Sequence, residues 1–349
     1  MKHSLFKSTG KFYKANLHTH TTISDGQVTP EQVKELYKDD GFSIIAFTDH
    51  NILIDHSDLN DDDFLAISGM EYEFNEDVHG APFSFMRTYH ILLLSKDPST
   101  TYYPCANPSY VCGDGIHNEK KYVQPYYKGD FIREYSAESV NMLIKDAHEH
   151  GFISCYCHPS WSLQNYTDYC GIENVDFVEP YNTTCYTSGY DLDKSDHVFQ
   201  DFLVMGKRVL PASNDDLHWR EYALGCGTYI KADELSYNSI FTAIENKDVY
   251  ASWGPEIKDI WYDPESRQIG IETSGAKEIF LVSERRFCQY KVNGHGGRIF
   301  NGAFDISQFI DDTLEYGNAE QSFLRFVVID SGGEKALSRA YYVDELIRS

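Results

Sequence analysis

Residues 42–47, FSIIAF, carry no charge and are apolar at nearly every position. A run apolar at both odd and even positions fits a strand covered on both faces. It ends in the polar triplet Thr48-Asp49-His50. The same form recurs at 89–94 (YHILLL, with His90 inside it) and at 152–157 (FISCYC, running into His158-Pro159). Shorter runs at 12–17, 64–68, 175–179, 208–213 and 249–255 have strand character too. Helical spacing separates them. Thr29 can cap a helix that Pro30 opens, with Gln32 at the capping-box position, Val33, Leu36 and Tyr37 on one face, and Gly41 at its end. Val140, Leu143, Ile144 and Ala147 form one face over 137–149, Val198, Phe202 and Leu203 another over 195–205, and a last helix is expected around 238–246. Repeated strand–helix units predict an α/β fold with a parallel sheet, closed or open, whose polar residues gather at the C-terminal strand ends.

Two stretches break the alternation. Residues 95–135 hold Pro98, Pro104, Pro108, Pro125 and seven tyrosines, without a period. They read as an ordered, aromatic-rich insertion over the rim of the site, a substrate-facing lid. After Pro255 the runs IKDIWYD, QIGIETS, EIFLVSE and FLRFVVID alternate between polar turns. The expectation is two domains: 1–254, carrying the site, and 255–349, a small antiparallel β-sandwich.

Charge limits the partners. A formal net charge of −24 argues against a nucleic-acid polymer and against an anionic membrane surface, and leaves a small-molecule substrate. The eight cysteines are scattered without a C-x-x-C pair, so they read as reduced thiols and not as a disulfide framework or a thiolate zinc site. The first twenty residues show no apolar segment of signal-peptide length, and no run reaches the roughly 18 apolar residues of a membrane span. A cytoplasmic location is the resulting expectation. Oligomeric state is not encoded in any feature of this kind.

The chemistry-bearing residues fall at the strand ends. His18-x-His20 places two imidazoles on one side of a strand. Asp25, His50, Glu71, His90, His158, Asp216 and His218 follow at or near the other ends, where a parallel barrel would converge them. Nine such groups buried together would be costly without cations, and imidazole with carboxylate suits zinc, manganese or iron. His79 competes with His90 for a place, but His90 lies in a buried strand. His117 reads as a loop residue, while His148 and His150 end a helix, where their charge interacts with the dipole. His3, His56, His197 and His295 have no partner pattern. Glu179, at a strand end, is a candidate to contact substrate or to support the metal ligands from behind, and Arg220, two residues past His218, is a candidate phosphate contact, since its planar fork matches phosphate, or a surface salt-bridge residue. Gly113-Asp114-Gly115 and Gly294-His295-Gly296-Gly297 lack the strand-to-helix setting of a phosphate-binding loop.

The segment KANLHTHTTISDGQVTPEQVKELYKDDGFSIIAFTDHN resembles the opening of the PHP (polymerase and histidinol phosphatase) superfamily, with H-x-H, S-D-G and a strand ending T-D-H in order. Gly69-Met70-Glu71, His90, Cys157-His158-Pro159 and Asp216-Leu217-His218 continue the likeness over about 200 residues. The resemblance implies a distorted (β/α)7 barrel with two or three divalent ions. His18, His20, Glu71 and Asp216 would hold one. His90 and His158 would hold a second, with Glu71 bridging, and Asp25, His50 and His218 a third. Asp25 stands where the family often carries histidine. The implied reaction is hydrolysis by a metal-bridging hydroxide, with Asp216 or His218 moving a proton to the leaving group. Small phosphate esters are the first expected substrates. The two-part layout also resembles the carbaryl-hydrolase-like branch, which would cleave carbamates or amides, and a non-catalytic metal-binding module is the third reading.

Overall fold

The computed structural model describes residues 1–110, 129–187, 195–294 and 296–348. In chain order, β1 (His3–Ser4), β2 (Lys11–Asn16), α1 (Pro30–Asp39), β3 (Phe42–Phe47), β4 (Leu65–Asn75) and β5 (Thr88–Ser95) come first. Then follow α2 (Ala137–Glu149), β6 (Phe152–Tyr156), α3 (Tyr166–Tyr169), β7 (Phe177–Asn182), α4 (Thr183–Cys185), α5 (Asp196–Val204) and β8 (Leu210–Asn214). Next are β9 (Gly227–Ala232), α6 (Tyr237–Glu245) and β10 (Val249–Ser252).

The local signals act as their chemistry predicts. Thr29 and Gln32 close a reciprocal capping box on α1, with Pro30 in its first turn. In β3, Ile44 and Ala46 face one core while Ile45 and Phe47 face another. The first core fills the space inside the curved sheet, with Ala15, Ile67, Leu92, Leu94, Phe177 and Ala212. The second lies under α1, through Val33 and Tyr37. Both faces of the sheet are thus dry, which is why FSIIAF needs no polar alternation.

The sheet is not wholly parallel. Parallel pairing joins β2 to β3, β3 to β4, β6 to β7 and β7 to β8, but β5 runs antiparallel to both β4 and β6. No helix lies between β4 and β5 among the described residues, only a short 3-10 turn at Phe83–Phe85, so the chain returns as a hairpin. The reversal has a consequence for the site. The N-terminal half of β5, with His90, lies beside the C-terminal ends of its neighbours. The far end of the run comes back to its beginning through a parallel bridge between Thr19 and Leu217. There the Leu17 amide donates to Asn214 Oδ1 (2.8 Å) and the Asp215 amide to Asn16 Oδ1 (2.8 Å).

The remaining strands are β11 (Ile257–Asp263), β12 (Gln268–Ala276), β13 (Glu278–Ser283), β14 (Cys288–Val292), β15 (Ile299–Asp305), β16 (Phe323–Ile329) and β17 (Lys335–Ser338), with α7 (Ser307–Tyr316) between β15 and β16. All their pairings are antiparallel, and β1, β11, β12 and β15 form a separate sheet in that order. The other four strands do not make a free-standing second sheet. They extend the large one, because β17 pairs with β10 and β10 with β9. Helix α7 joins both sheets in their shared core through Phe309 and Ile310, so a helix completes what the sequence suggested as β alone.

Part of the proposed 95–135 insertion, residues 111–128 with His117 and Gly113-Asp114-Gly115, lies outside the described residues, as do 188–194, His295 and Ser349. What is described of the insertion packs down: the Tyr103 hydroxyl hydrogen-bonds the Leu53 amide (3.1 Å), and Pro104 O accepts from the Tyr72 hydroxyl (2.7 Å). No helix among the described residues is long and apolar enough to cross a membrane.

Candidate metal centre

The first two imidazoles come from the segment after β2. Asp49, at the end of β3, orders it by accepting from the Thr21 amide (2.8 Å), the Ser24 amide (3.1 Å) and the Ser24 hydroxyl (2.7 Å). The turn passes so close to itself that a side-chain carbon at Gly26 would lie 2.6 Å from the carbonyl carbon of His20, so glycine is required there. This fold-back brings Asp25 against His20.

The nine candidate ligands cluster: seven line one cleft, and His18 and His20 lie buried against them. Glu71, the only carboxylate at its centre that β4 supplies, lies 2.8 Å from His90, 3.1 Å from His20, 3.2 Å from His50 and 3.3 Å from both His18 and His158. Asp216 Oδ1 lies 3.2 Å from His18 and His20 and 3.4 Å from His218. Asp25 lies 3.3 Å from His218, 3.5 Å from His20 and 3.6 Å from His50. Among the described residues four sets have ligand atoms mutually within 4.8 Å: His20, Asp25, His50 and His218; His18, His158 and Asp216; Glu71, His90 and His158; and His18, Glu71 and Cys157. His20 faces both ways: its Nδ1 lies 3.5 Å from Asp25, while its Nε2 lies 3.2 Å from His18 and Asp216 and 3.1 Å from Glu71, the set that the resemblance implies.

The donor set fits divalent cations, and the orphaned atoms carry that test. Asp216 Oδ1 and His90 Nε2 are buried and without a hydrogen-bond partner, a costly state for either atom in the absence of a cation. The backbone is strained at the same residues. Asp216 (φ 53°), His158 (φ 24°) and Asn51 (φ 57°), the residue after His50, occupy the left-handed region without being glycine. Such outliers persist where the surroundings impose them.

Electrostatics in the metal-free protein point the same way. Burial works against the charged form of every inner group. Even so, the imidazoles hold Glu71 and Asp216 well below the usual carboxylate range, and the carboxylates hold His18 well up and His20 up to about 10. Protons on the imidazoles supply the positive charge that cations would otherwise supply. A histidine raised in this way stabilises the fold fully below its ordinary value of about 6.5, and that contribution fades as pH rises through about 10. Cation binding must displace these protons. Calorimetric titration with Mn²⁺ at pH 7 is therefore expected to release protons, with apparent affinity rising with pH. Binding heats independent of the buffer's ionisation enthalpy would contradict this.

For Glu179 and Arg220, each given two readings from the sequence, the structure favours the one away from the substrate. Glu179 does not face a substrate. It is fully buried beneath His18, where Oε1 lies 3.4 Å from His18 Nδ1 and accepts from Asn214 Nδ2 (2.9 Å). Its Oε2 accepts from the His158 amide and Asn182 Nδ2, each at 3.0 Å. It therefore orients His18 from behind, as outer carboxylates do for ligating imidazoles. Arg220 is exposed and does not line the cleft, whereas its neighbours Trp219, Glu221 and Tyr222 do. The 3-10 turn at Arg220–Tyr222 decides which side chain turns inward, and spacing alone cannot give that.

The sequence reading also missed residues. Cys157 had been set aside with the other thiols, yet its Sγ lies within 4.8 Å of ligand atoms of His18 and Glu71. Burial pushes that thiol well above its usual value, and it donates to Cys155 O (3.4 Å). Its position just before His158, on the interior face of β6, was the available signal. Glu73 and Asn75 line the cleft because β4 runs on past Glu71, presenting every second residue to the same side. The cleft holds about 560 Å³.

The PHP domain family matches residues 16–168, which include seven of the nine clustered residues. Among solved structures, it is similar to a two-domain protein from Bacteroides vulgatus containing a predicted PHP-like metal-dependent phosphoesterase. The identity is 14%, 95% of each chain is covered, and the TM-score is 0.45. A candidate metal-dependent phosphoesterase from Bifidobacterium adolescentis matches at 13% identity, over 66% of this chain and 96% of the other, with a TM-score of 0.39. An amidohydrolase from Chromobacterium violaceum, with bound sulfate and no metal, matches at 15% identity, over 58% and 87%, with a TM-score of 0.36. No curated relative matches the sequence.

Proposed function

We propose that this protein is a metal-dependent phosphoesterase acting on small phosphate esters from a distorted (β/α)7 barrel. The observation that carries the reading is the convergence of six imidazoles and three carboxylates, seven of the nine lining one cleft, with Asp216 Oδ1 and His90 Nε2 buried and unsatisfied. His18, His20, Glu71 and Asp216 would hold one ion, His90 and His158 with Glu71 a second, and Asp25, His50 and His218 a third. Zinc, manganese and iron suit these donors. Bound divalent ions supply electrophilic stabilisation of charge on the scissile group and acidify water.

The chain's own residues do the rest. Glu179 fixes the ring of His18. His218 Nδ1 lies 2.9 Å from the carbonyl oxygen of Asp216, which leaves Nε2 on the side of Asp25, in the cleft wall. Of the clustered imidazoles it is one of two that keep appreciable exposure, so with the third position empty it is our candidate to hold or pass a proton to the leaving group, and with that position filled it serves as a ligand. Asp216, buried and engaged, serves as a ligand.

A second reading, carbamate or amide hydrolysis of the carbaryl-hydrolase-like kind, is favoured by one observation: the described residues lining the cleft include carboxylates and aromatic rings but no lysine or arginine. The test that separates them is phosphate release by the Mn²⁺-reconstituted protein from a panel of phosphate monoesters. Asp216→Ala is expected to lower it by more than ~100-fold, the upper range for loss of an outer partner alone. Retained release in the variant would remove Asp216 from the site. A silent panel with metal bound would favour the carbamate or amide reading.

A further inference from the structure

The walls of the cleft begin one ring away from the clustered imidazoles. On one side Trp161 packs edge-on against His158, with ring centroids 5.1 Å apart, and against His90 at 5.6 Å, and Phe83 backs it at 6.0 Å. On the other side Trp219 lies 5.5 Å from His218, and Tyr222 lies 5.9 Å beyond it. All four rings line the cleft, and Phe83 and Trp219 keep 48% and 37% of their surface exposed. Large rings left in water on both walls of a concave site are surface that a flat apolar ligand can cover.

The charges on these walls narrow the choice. Asp25, Glu71 and Asp216 lie among the imidazoles and would be neutralised by cations. Glu73, one step outward on the same face of β4, and Glu221, on the opposite turn, line the cleft outside every candidate cation group. A second anionic group on the substrate would meet these two carboxylates at close range, whereas a neutral ring or one bearing an amine would not.

We infer that the cleft selects esters whose leaving group is a planar aromatic ring without a second anion, over alkyl phosphates and nucleotide bisphosphates. This rests on the metallohydrolase reading above. Each aromatic contact adds roughly two- to twelvefold in affinity, so one wall suffices for a clear preference and two sandwich the ring.

Binding and turnover test it separately, with the full-length Mn²⁺-reconstituted protein. Phenylphosphonate is expected to bind about tenfold tighter than methylphosphonate, and Trp219→Ala, which removes one of the two walls, to lower that ratio at least about twofold. Phenyl phosphate is expected to be hydrolysed with at least about tenfold higher kcat/KM than glycerol 3-phosphate or adenosine 3′,5′-bisphosphate. Equal binding of the two phosphonates, or preference for the bisphosphate, would overturn the inference. Preferential binding of phenylphosphonate with no turnover of any phosphate ester would support the aromatic selectivity and reject the phosphoesterase reading. Turnover without ring preference would do the reverse.

Discussion

Glu71→Gln is expected to abolish phosphate release and to strip the protein of bound metal while leaving it folded. The substitution keeps the shape of the side chain and removes one charge. That charge stands between five imidazoles, at 2.8–3.3 Å from His90, His20, His50, His18 and His158. The amide can still accept hydrogen bonds, but its NH₂ group would be directed at imidazole nitrogens and no longer at a cation. Loss of an outer partner of a metal ligand costs about 10–100-fold in affinity, so loss of a carboxylate facing all three candidate groups should exceed that range. Metal analysis after dialysis, together with kcat/KM, checks the expectation. Wild-type metal content in the variant would contradict it.

Asp215→Ala, one residue before the candidate ligand Asp216, should have the opposite character: a loss of stability of about 4 kcal/mol. Asp215 is fully buried and does not line the cleft. Its carboxylate accepts from the Thr183 hydroxyl (2.6 Å), the Leu224 amide (2.7 Å), the Tyr37 hydroxyl (2.9 Å) and the Gly225 amide (3.0 Å). It ties α1, the start of α4 and the loop before β9 to the end of β8. Burial pushes its carboxyl up despite those four donors. Truncation would leave buried donors unpaired, each costing about 1–3 kcal/mol before relaxation. Denaturant unfolding of the metal-free protein measures this without involving the cations. A change within about 0.5 kcal/mol, the range of an ordinary surface substitution, would show that the network carries no weight.

The two neighbouring aspartates illustrate what sequence can and cannot reveal here. Asp216 was legible because it belongs to an Asp-x-His at a strand end, repeating the chemistry of His18-x-His20. Asp215 carries the same side chain but points away from the cleft, and only the fold shows what it holds. The same division runs through the architecture. β3, α2 and β11 keep the bounds their side-chain pattern gives, because both faces of β3 and one face of α2 are committed to core. The direction of β5 was not legible, since YHILLL reads alike for parallel and antiparallel pairing once both faces are buried. β9 was passed over because GTYIKA is short and half polar, although it is the link from β2 to β10 and so to the C-terminal strands. α7 was hidden because SQFIDDTLEY offers few apolar positions and sits among strands.

At the site, the imidazoles and carboxylates that cluster were legible, and the rings that wall the cleft were not. Imidazoles and carboxylates at strand ends leave a pattern along the chain. Trp161, Trp219 and Phe83 come from loops, where nothing in the spacing distinguishes a cleft wall from an ordinary surface ring. Glu179 was seen as a strand-end carboxylate, but whether such a group faces the substrate or the back of a ligand depends on the neighbouring strand. Here Asn214 at the end of β8, together with the His158 amide, turns it inward.

The central claim is that the nine clustered residues hold divalent cations, and the direct measurement is metal stoichiometry after equilibrium dialysis against Mn²⁺, wild type beside Glu71→Gln. About two to three ions per wild-type chain, and loss of most of them in the variant, is the predicted result. Trace metal in both proteins, with the fold intact, would contradict the account.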